Sequence, residues 1–184
     1  MSFKFEKLNV LVVEDTVPMQ KLIVSVLETL GVGSIIKAKD GEEGYKKFKD
    51  EQVDIILCDW LMRPVDGIEL VKKIRNDSSS PNRFIPIIMV TGYNALQRVK
   101  EARDIGATEF LIKPFTANDL AKRIAYVINR PRDYIESPDY FGPDRRRVVH
   151  PNYQGPFRRA TDKMTSKKRK SSKSASDDQW QVET

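Results

Sequence analysis

Five residues in this chain have types that do chemistry together: Glu14, Asp15, Asp59, Thr91 and Lys113. Each follows or closes an apolar run of strand length: LNVLVV before Glu14-Asp15, IILC before Asp59, PIIMV before Thr91, and FLI before Lys113. One at a time they have plain readings, since an aspartate after a strand serves as a turn or helix cap and a lone lysine as a surface charge. Together they do not. If the runs are neighbouring parallel strands, three carboxylates, a hydroxyl and an ammonium converge at one end of a sheet. Clustered carboxylates repel one another unless cations neutralise them. Lys113 supplies one charge and a divalent ion would supply the rest. An all-oxygen ligand set favours Mg²⁺ over zinc. A carboxylate, Mg²⁺, Lys and Thr suit phosphoryl transfer to the carboxylate itself, with Asp59 as nucleophile, Lys113 and the metal on phosphoryl oxygens, and Thr91 as a hydrogen-bond donor.

The elements that must position these groups are legible as alternating patterns. Residues 8–13, 34–38, 54–58, 85–90 and 108–112 read as strands. Between them, helical periodicity covers residues 17–30, 41–50, 67–76, 95–105 and 116–129, with Thr116 as a candidate N-cap. The first of these helices carries apolar residues at 19, 22, 23, 26, 27 and 30. Five successive β-α units imply an α/β fold, a doubly wound five-stranded parallel sheet with helices on both faces. Uninterrupted apolar strands such as DIILC fit strands covered on both sides.

The motifs VVEDT, CDWLMRPVDG, MVTGY and FLIKPF, in that order, resemble those of the receiver (CheY-like) domain of bacterial response regulators. The resemblance spans residues 8–129 and includes the spacing of 44 residues from Asp15 to Asp59 and 22 from Thr91 to Lys113. It implies a flavodoxin-like (βα)5 fold and a two-component signalling switch. Asp59 would accept a phosphoryl group from a sensor histidine kinase or phosphotransfer protein. Glu14, Asp15, Asp59 and the backbone carbonyl of Leu61 would hold Mg²⁺, with Glu14 acting through water. Thr91 would move toward the phosphoryl group and Phe110 would be the switch aromatic. The Lys113-Pro114 bond would be cis. The resemblance places an output face on the fourth helix, fifth strand and fifth helix, including Ala95, Val99, Arg103, Glu109 and Lys122.

Three local features depart from the family pattern. Arg63 stands where the family often has proline, and Pro64 comes one residue later. Leu61 and Tyr93 are bulky at positions that influence how water reaches the acyl phosphate, which implies a long-lived phosphoryl group. Phe110 lacks the hydroxyl of a switch tyrosine.

Composition sets the remaining bounds. The 184 residues carry 32 Lys+Arg and 26 Asp+Glu, a net charge of +6, with a mean hydropathy of -0.49. That suits one core-bearing domain of residues 1–130 plus a polar tail of residues 131–184, rich first in Pro and Arg and then in Lys and Ser, expected to be largely disordered. No apolar run reaches the ~20 residues of a membrane helix. The N-terminus lacks a signal peptide's apolar stretch, and the single Cys58 excludes an internal disulfide framework. A cytoplasmic location follows as the expectation. The tail repeats YFGPDRR at residues 140–146 as YQGPFRR at residues 153–159, which nominates Arg145, Arg146, Arg158 and Arg159 as part of a partner-binding linear motif. It holds no recognition-helix pattern, so a DNA-binding output domain is not expected. Two other readings compete. A phosphohydrolase of the haloacid-dehalogenase type would need a second acid where Leu61 stands and a nucleophile after the first strand. A nucleic-acid-binding regulator would act through the basic tail.

Overall fold

A computed structural model describes residues 5–92 and 104–144. Five parallel strands, β1 (Asn9–Val13), β2 (Ser34–Ala38), β3 (Ile55–Asp59), β4 (Ile87–Thr91) and β5 (Glu109–Ile112), lie in the order β2-β1-β3-β4-β5. Helices α1 (Val17–Thr29), α2 (Gly41–Asp50), α3 (Gly67–Asn76) and α4 (Ala117–Asn129) cover the two faces. This is the doubly wound architecture implied by the alternating pattern. Strand ends differ from the sequence reading by one or two residues; β4 starts after Pro86, which has no N–H for the ladder. Of the helix expected at 95–105, only Asp104 and Ile105 are described, and both are helical.

The two-residue period of the strands divides the core. Val10, Val12, Ile55, Leu57, Ile88 and Leu111 face Ile23 and Leu27 of α1 and Leu120 and Ile124 of α4. Leu11, Val13, Ile56, Cys58 and Met89 face Tyr45 and Phe48 of α2 and Leu70, Val71 and Ile74 of α3. β3 and β4 are buried at every position, as central strands covered on both faces must be. Cys58 is fully buried, and burial, then the charge of Asp59, push its thiol well above the ordinary range.

Helix starts are set by short polar residues. Asp40 accepts from Glu43 N at 2.9 Å to begin α2, and Asp66 with Glu69 forms a reciprocal capping box at α3. Thr116 with Asp119 does the same at α4, in accord with its sequence assignment as N-cap. Leu22, part of the apolar stripe read along α1, is 51% exposed rather than buried. Only Ile23 and Leu27 of that stripe are fully enclosed, because one short helix lying on a sheet buries a narrower arc than the stripe covers.

The tail expected to be largely disordered begins with ordered structure. After α4 the chain forms an antiparallel hairpin of β6 (Tyr134–Ser137) and β7 (Tyr140–Pro143). Its buried face carries Tyr134 and Phe141, whose rings meet Phe84 at centroid distances of 5.1 and 5.3 Å. Tyr134 Oη donates to Phe84 O at 2.7 Å. An apolar face of three rings was available to offset the ordering entropy of the short segment, despite its prolines. Residues 145–184, with Arg145, Arg146, Arg158 and Arg159, lie outside the described residues.

Beneath the hairpin lies Arg75, with no exposed surface. Its guanidinium donates to Gly106 O at 3.0 Å, Arg83 O at 2.7 Å and Ile85 O at 2.8 Å. No carboxylate pairs with it among the described residues, and burial pushes its pKa below the ordinary range. Backbone carbonyls and the Tyr134 ring, 5.4 Å from the guanidinium carbon, take the place of a counterion. Arg75→Met would take the side-chain donor from the Gly106 and Arg83 carbonyls and leave Ile85 O only a long 3.4 Å contact from Tyr134 Oη. It is expected to destabilise the protein by about 3 kcal/mol or more, read as a lowered urea midpoint. An unchanged midpoint would show that these contacts contribute nothing net.

Candidate functional site

Strand register brings the five chemical residues to one edge of the sheet. Val13 pairs with Cys58, so Glu14 and Asp59 emerge side by side, while Asp59 pairs with Val90 and Thr91 with Ile112. Continued past the strand ends, the pleat gives Glu14, Asp59 and Lys113 the same parity as Val12, Leu57 and Leu111. The three side chains therefore turn to the same side, and they meet. Lys113 Nζ lies 2.8 Å from Glu14 Oε2 and 2.6 Å from Asp59 Oδ1.

Backbone groups hold the other carboxylate oxygens. Thr16 N donates to Glu14 Oε1 at 3.2 Å, and Leu61 N donates to Asp59 Oδ2 at 3.0 Å. Glu14 is 2% exposed and Asp59 8% exposed, burial that only this pairing makes tolerable. Asp15 is exposed and accepts from the Thr16 hydroxyl at 3.1 Å. Burial alone would lower the Lys113 ammonium, but the carboxylates of Asp59 and Glu14 outweigh it and hold the group above its ordinary range. Lys113 N also donates to Thr91 O at 2.6 Å, and the Lys113-Pro114 bond is cis.

One carboxylate oxygen each from Glu14, Asp15 and Asp59 lies within 4.8 Å of the others. Three negative charges against one ammonium leave two uncompensated. That balance, with hard oxygen donors, fits a divalent cation of the Mg²⁺ type. The buried Thr91 hydroxyl donates to Gly92 O at a long 3.5 Å rather than to Asp59.

The loop after Asp59 is fixed at both ends. Trp60 N donates to Val90 O at 3.0 Å, and Gly67 N to Trp60 O at 3.2 Å. Trp60 and Met62 are buried among the side chains of α2 and α3, which turns Leu61 outward, 59% exposed. The Arg63-Pro64 bond is cis, the form taken by the loop at the place where the sequence departs from the family pattern. Gly67 has a physical cause: a Cβ there would lie 2.1 Å from Asp59 O. The backbone of α3 thus abuts the backbone of the acidic residue.

Other sequence assignments fall elsewhere. Phe110 is half-buried, pairs in register with Met89 and packs against the cluster under α2 and α3. Glu109, expected on a solvent-facing output surface, is 1% exposed and ion-paired with Arg123 of α4. The same parity that turns Leu111 to α4 turns Glu109 there too. Lys122 is exposed, whereas Tyr93, Ala95, Val99 and Arg103 lie outside the described residues. Sequence reasoning missed Gln20, whose amide donates to Glu14 O at 3.1 Å and Ala38 O at 2.9 Å and fixes the loop that carries the acidic pair. Its only signal was a polar side chain beside the apolar stripe of α1.

Known proteins resemble this chain in sequence and in fold. The response regulator receiver domain family matches residues 10–125. The chemotaxis protein CheY1 of Helicobacter pylori is 34% identical over 125 residues, which cover 66% of this chain and 97% of that protein. CheY-3 of Vibrio cholerae is 28% identical, with coverages of 68% and 95%. Among solved structures, Vibrio cholerae CheY4 superposes with a TM-score of 0.60 at 30% identity, covering 66% of this chain and 98% of that one. A putative response regulator from Chloroflexus aurantiacus gives 0.63 at 26% identity, with coverages of 67% and 99%.

The Lys113 bridge makes two measurable demands. Lys113→Met removes the built-in cation, so Mg²⁺ affinity by calorimetry is expected to rise about fivefold or more; a fall would contradict the charge balance described. The folded state raises the Lys113 pKa, so the stability its charge contributes is complete below the ordinary value of 10.5 and is lost as pH rises through the raised value. The stability gap between wild type and Lys113→Met should stay flat from neutral pH to about 10 and narrow only above that. A gap that closes near neutrality would remove this account.

Proposed function

The chain belongs to the response regulator receiver domain family, and from that premise we propose that it is a phosphorylation-operated switch with Asp59 as the acceptor. The observation that carries this reading is the Asp59 carboxylate held between Lys113 Nζ and Leu61 N, with Glu14 and Asp15 beside it. Receiver domains interact with histidine kinases or phosphotransfer proteins, and the donor here would be a phosphohistidine. An Asp59 carboxylate oxygen attacks phosphorus as the P–N bond breaks, the electron pair leaving with the donor imidazole, which takes up a proton. The products are an acyl phosphate on Asp59 and neutral histidine.

Each nearby group has a role that follows from its position. Lys113 neutralises charge on the transferred group while remaining tied to Glu14. Leu61 N, already aimed at Asp59, holds the second carboxylate oxygen so that the first is presented. Glu14, Asp15, Asp59 and the Leu61 carbonyl would hold Mg²⁺, which when bound supplies charge neutralisation for the transferred phosphoryl oxygens. The Thr91 hydroxyl, whose one contact among the described residues is a long one to Gly92 O, would turn toward the new phosphoryl group. Phe110, half-buried on the adjoining strand, would follow that movement, and the exposed Lys122 stands on the face that would present the altered surface. No helix among the described residues is long and apolar enough to cross a membrane.

The direct test is incubation with acetyl phosphate and Mg²⁺, read by intact mass. One phosphoryl group should appear on the wild type and be absent from Asp59→Asn or after chelation; phosphorylation of Asp59→Asn at the same level would overturn the assignment. Leu61, exposed at the rim of the pocket, should also shield the acyl phosphate from water. Leu61→Asn is expected to shorten the phosphoryl lifetime severalfold. A wild-type half-life of seconds would argue against that shielding.

A further inference from the structure

The family match ends at residue 125, yet the ordered chain continues through the hairpin to Asp144. The hairpin is seated on the entry to β5. Arg132 Nη1 donates to Thr108 O at 3.1 Å, and Arg132 Nη2 donates to Asp144 O, closing the base of the hairpin with Asp144 N to Asp133 O at 2.7 Å. Gly142 meets Gly106 backbone to backbone: a Cβ on Gly142 would lie 2.8 Å from Gly106 Cα, and one on Gly106 would lie 3.1 Å from Phe141 O. Arg83 stacks over the Phe141 ring at 3.9 Å. Thr108 is itself locked to β4, its N donating to Ile87 O at 2.9 Å and its Oγ1 accepting from Ile87 N at 3.0 Å.

β5 is therefore held at both ends. Its entry is gripped by the hairpin through Thr108 and Gly106. Its exit is gripped by Lys113, through Thr91 O and the two carboxylates. Thr108 and Lys113 are five residues apart, about 16 Å of extended chain. A strand this short has no slack to absorb a shift at one end, and its edge position leaves it a single β neighbour among the described residues.

We infer that the hairpin is a clamp on β5 whose docking is coupled to the charge state of the Asp59 pocket: filling or neutralising the pocket loosens the hairpin. This deepens the reading of Asp59 as phosphoryl acceptor and rests on it. The sign follows from the contacts. The docked hairpin coexists with Lys113 bridging Glu14 and Asp59. Any change that takes Asp59 out of that bridge removes one of the three contacts that hold the exit of β5, leaving Glu14 and Thr91 O. Linkage then requires the converse, so a weakened hairpin must favour the filled pocket by the same factor.

The experiment is hydrogen exchange of the full chain, free and with beryllofluoride plus Mg²⁺, alongside Asp59→Asn, with fluorine NMR reporting whether beryllofluoride is bound. Exchange at residues 134–143 should quicken about fivefold in the loaded wild type and in Asp59→Asn, and Phe141→Ala should bind beryllofluoride tighter by a matching factor. Bound beryllofluoride with hairpin exchange unchanged overturns the clamp and leaves the phosphoacceptor reading standing. If no beryllofluoride binds, that reading falls, and Asp59→Asn alone decides the clamp: faster hairpin exchange supports the coupling to pocket charge, and unchanged exchange overturns it.

Discussion

Electrostatic self-repulsion at the carboxyl edge of the sheet is the constraint on which this structure turns. Glu14 and Asp59 are buried side by side, and the Lys113 ammonium between them, with the Thr16 and Leu61 amides, makes that burial tolerable. Much else serves the bridge. Register delivers the three residues to one place, the α3 capping box and Gly67 bring a helix against the Asp59 backbone, and Gln20 holds the loop after β1. The bridge leaves negative charge over, so the pocket remains attractive to a cation while the fold stays intact.

The clustering of the pocket residues and the five β-α units were legible because each rests on a local rule. Apolar runs mark buried strands, helical stripes mark the layers, and charged residues at strand ends mark where sites form. Thr116 as a cap and the cis Lys113-Pro114 bond also agree with the sequence reading. What escaped depended on tertiary partners. Glu109 looked like a surface acid until the pleat placed it against Arg123. Leu22 fitted a helical stripe that proved wider than the buried arc. Arg75 carried no signal at all, since three backbone carbonyls from two distant loops solvate it, and carbonyls have no sequence signature.

The hairpin illustrates the limit of composition as a guide. Prolines and charges around residues 131–144 suggest a linker, yet two aromatic side chains suffice to seat the segment on Phe84 and Arg75. The folded unit therefore extends past the end of α4, through at least residue 144. The first copy of the Y-x-G-P repeat also acquires a physical meaning: the Tyr140 hydroxyl folds back to Pro143 O at 2.8 Å, and the glycine permits contact with Gly106.

Cys58 is the only thiol in the chain, and it lies sealed in the core one residue before Asp59, with its pKa driven upward. The native protein is thus already a blank background for maleimide chemistry. A single cysteine introduced on an exposed residue of the hairpin, or beside Leu61, could carry a fluorophore or spin label with the wild-type core left as it is. Pairs of such sites would let distances between the two ends of β5 be followed in solution.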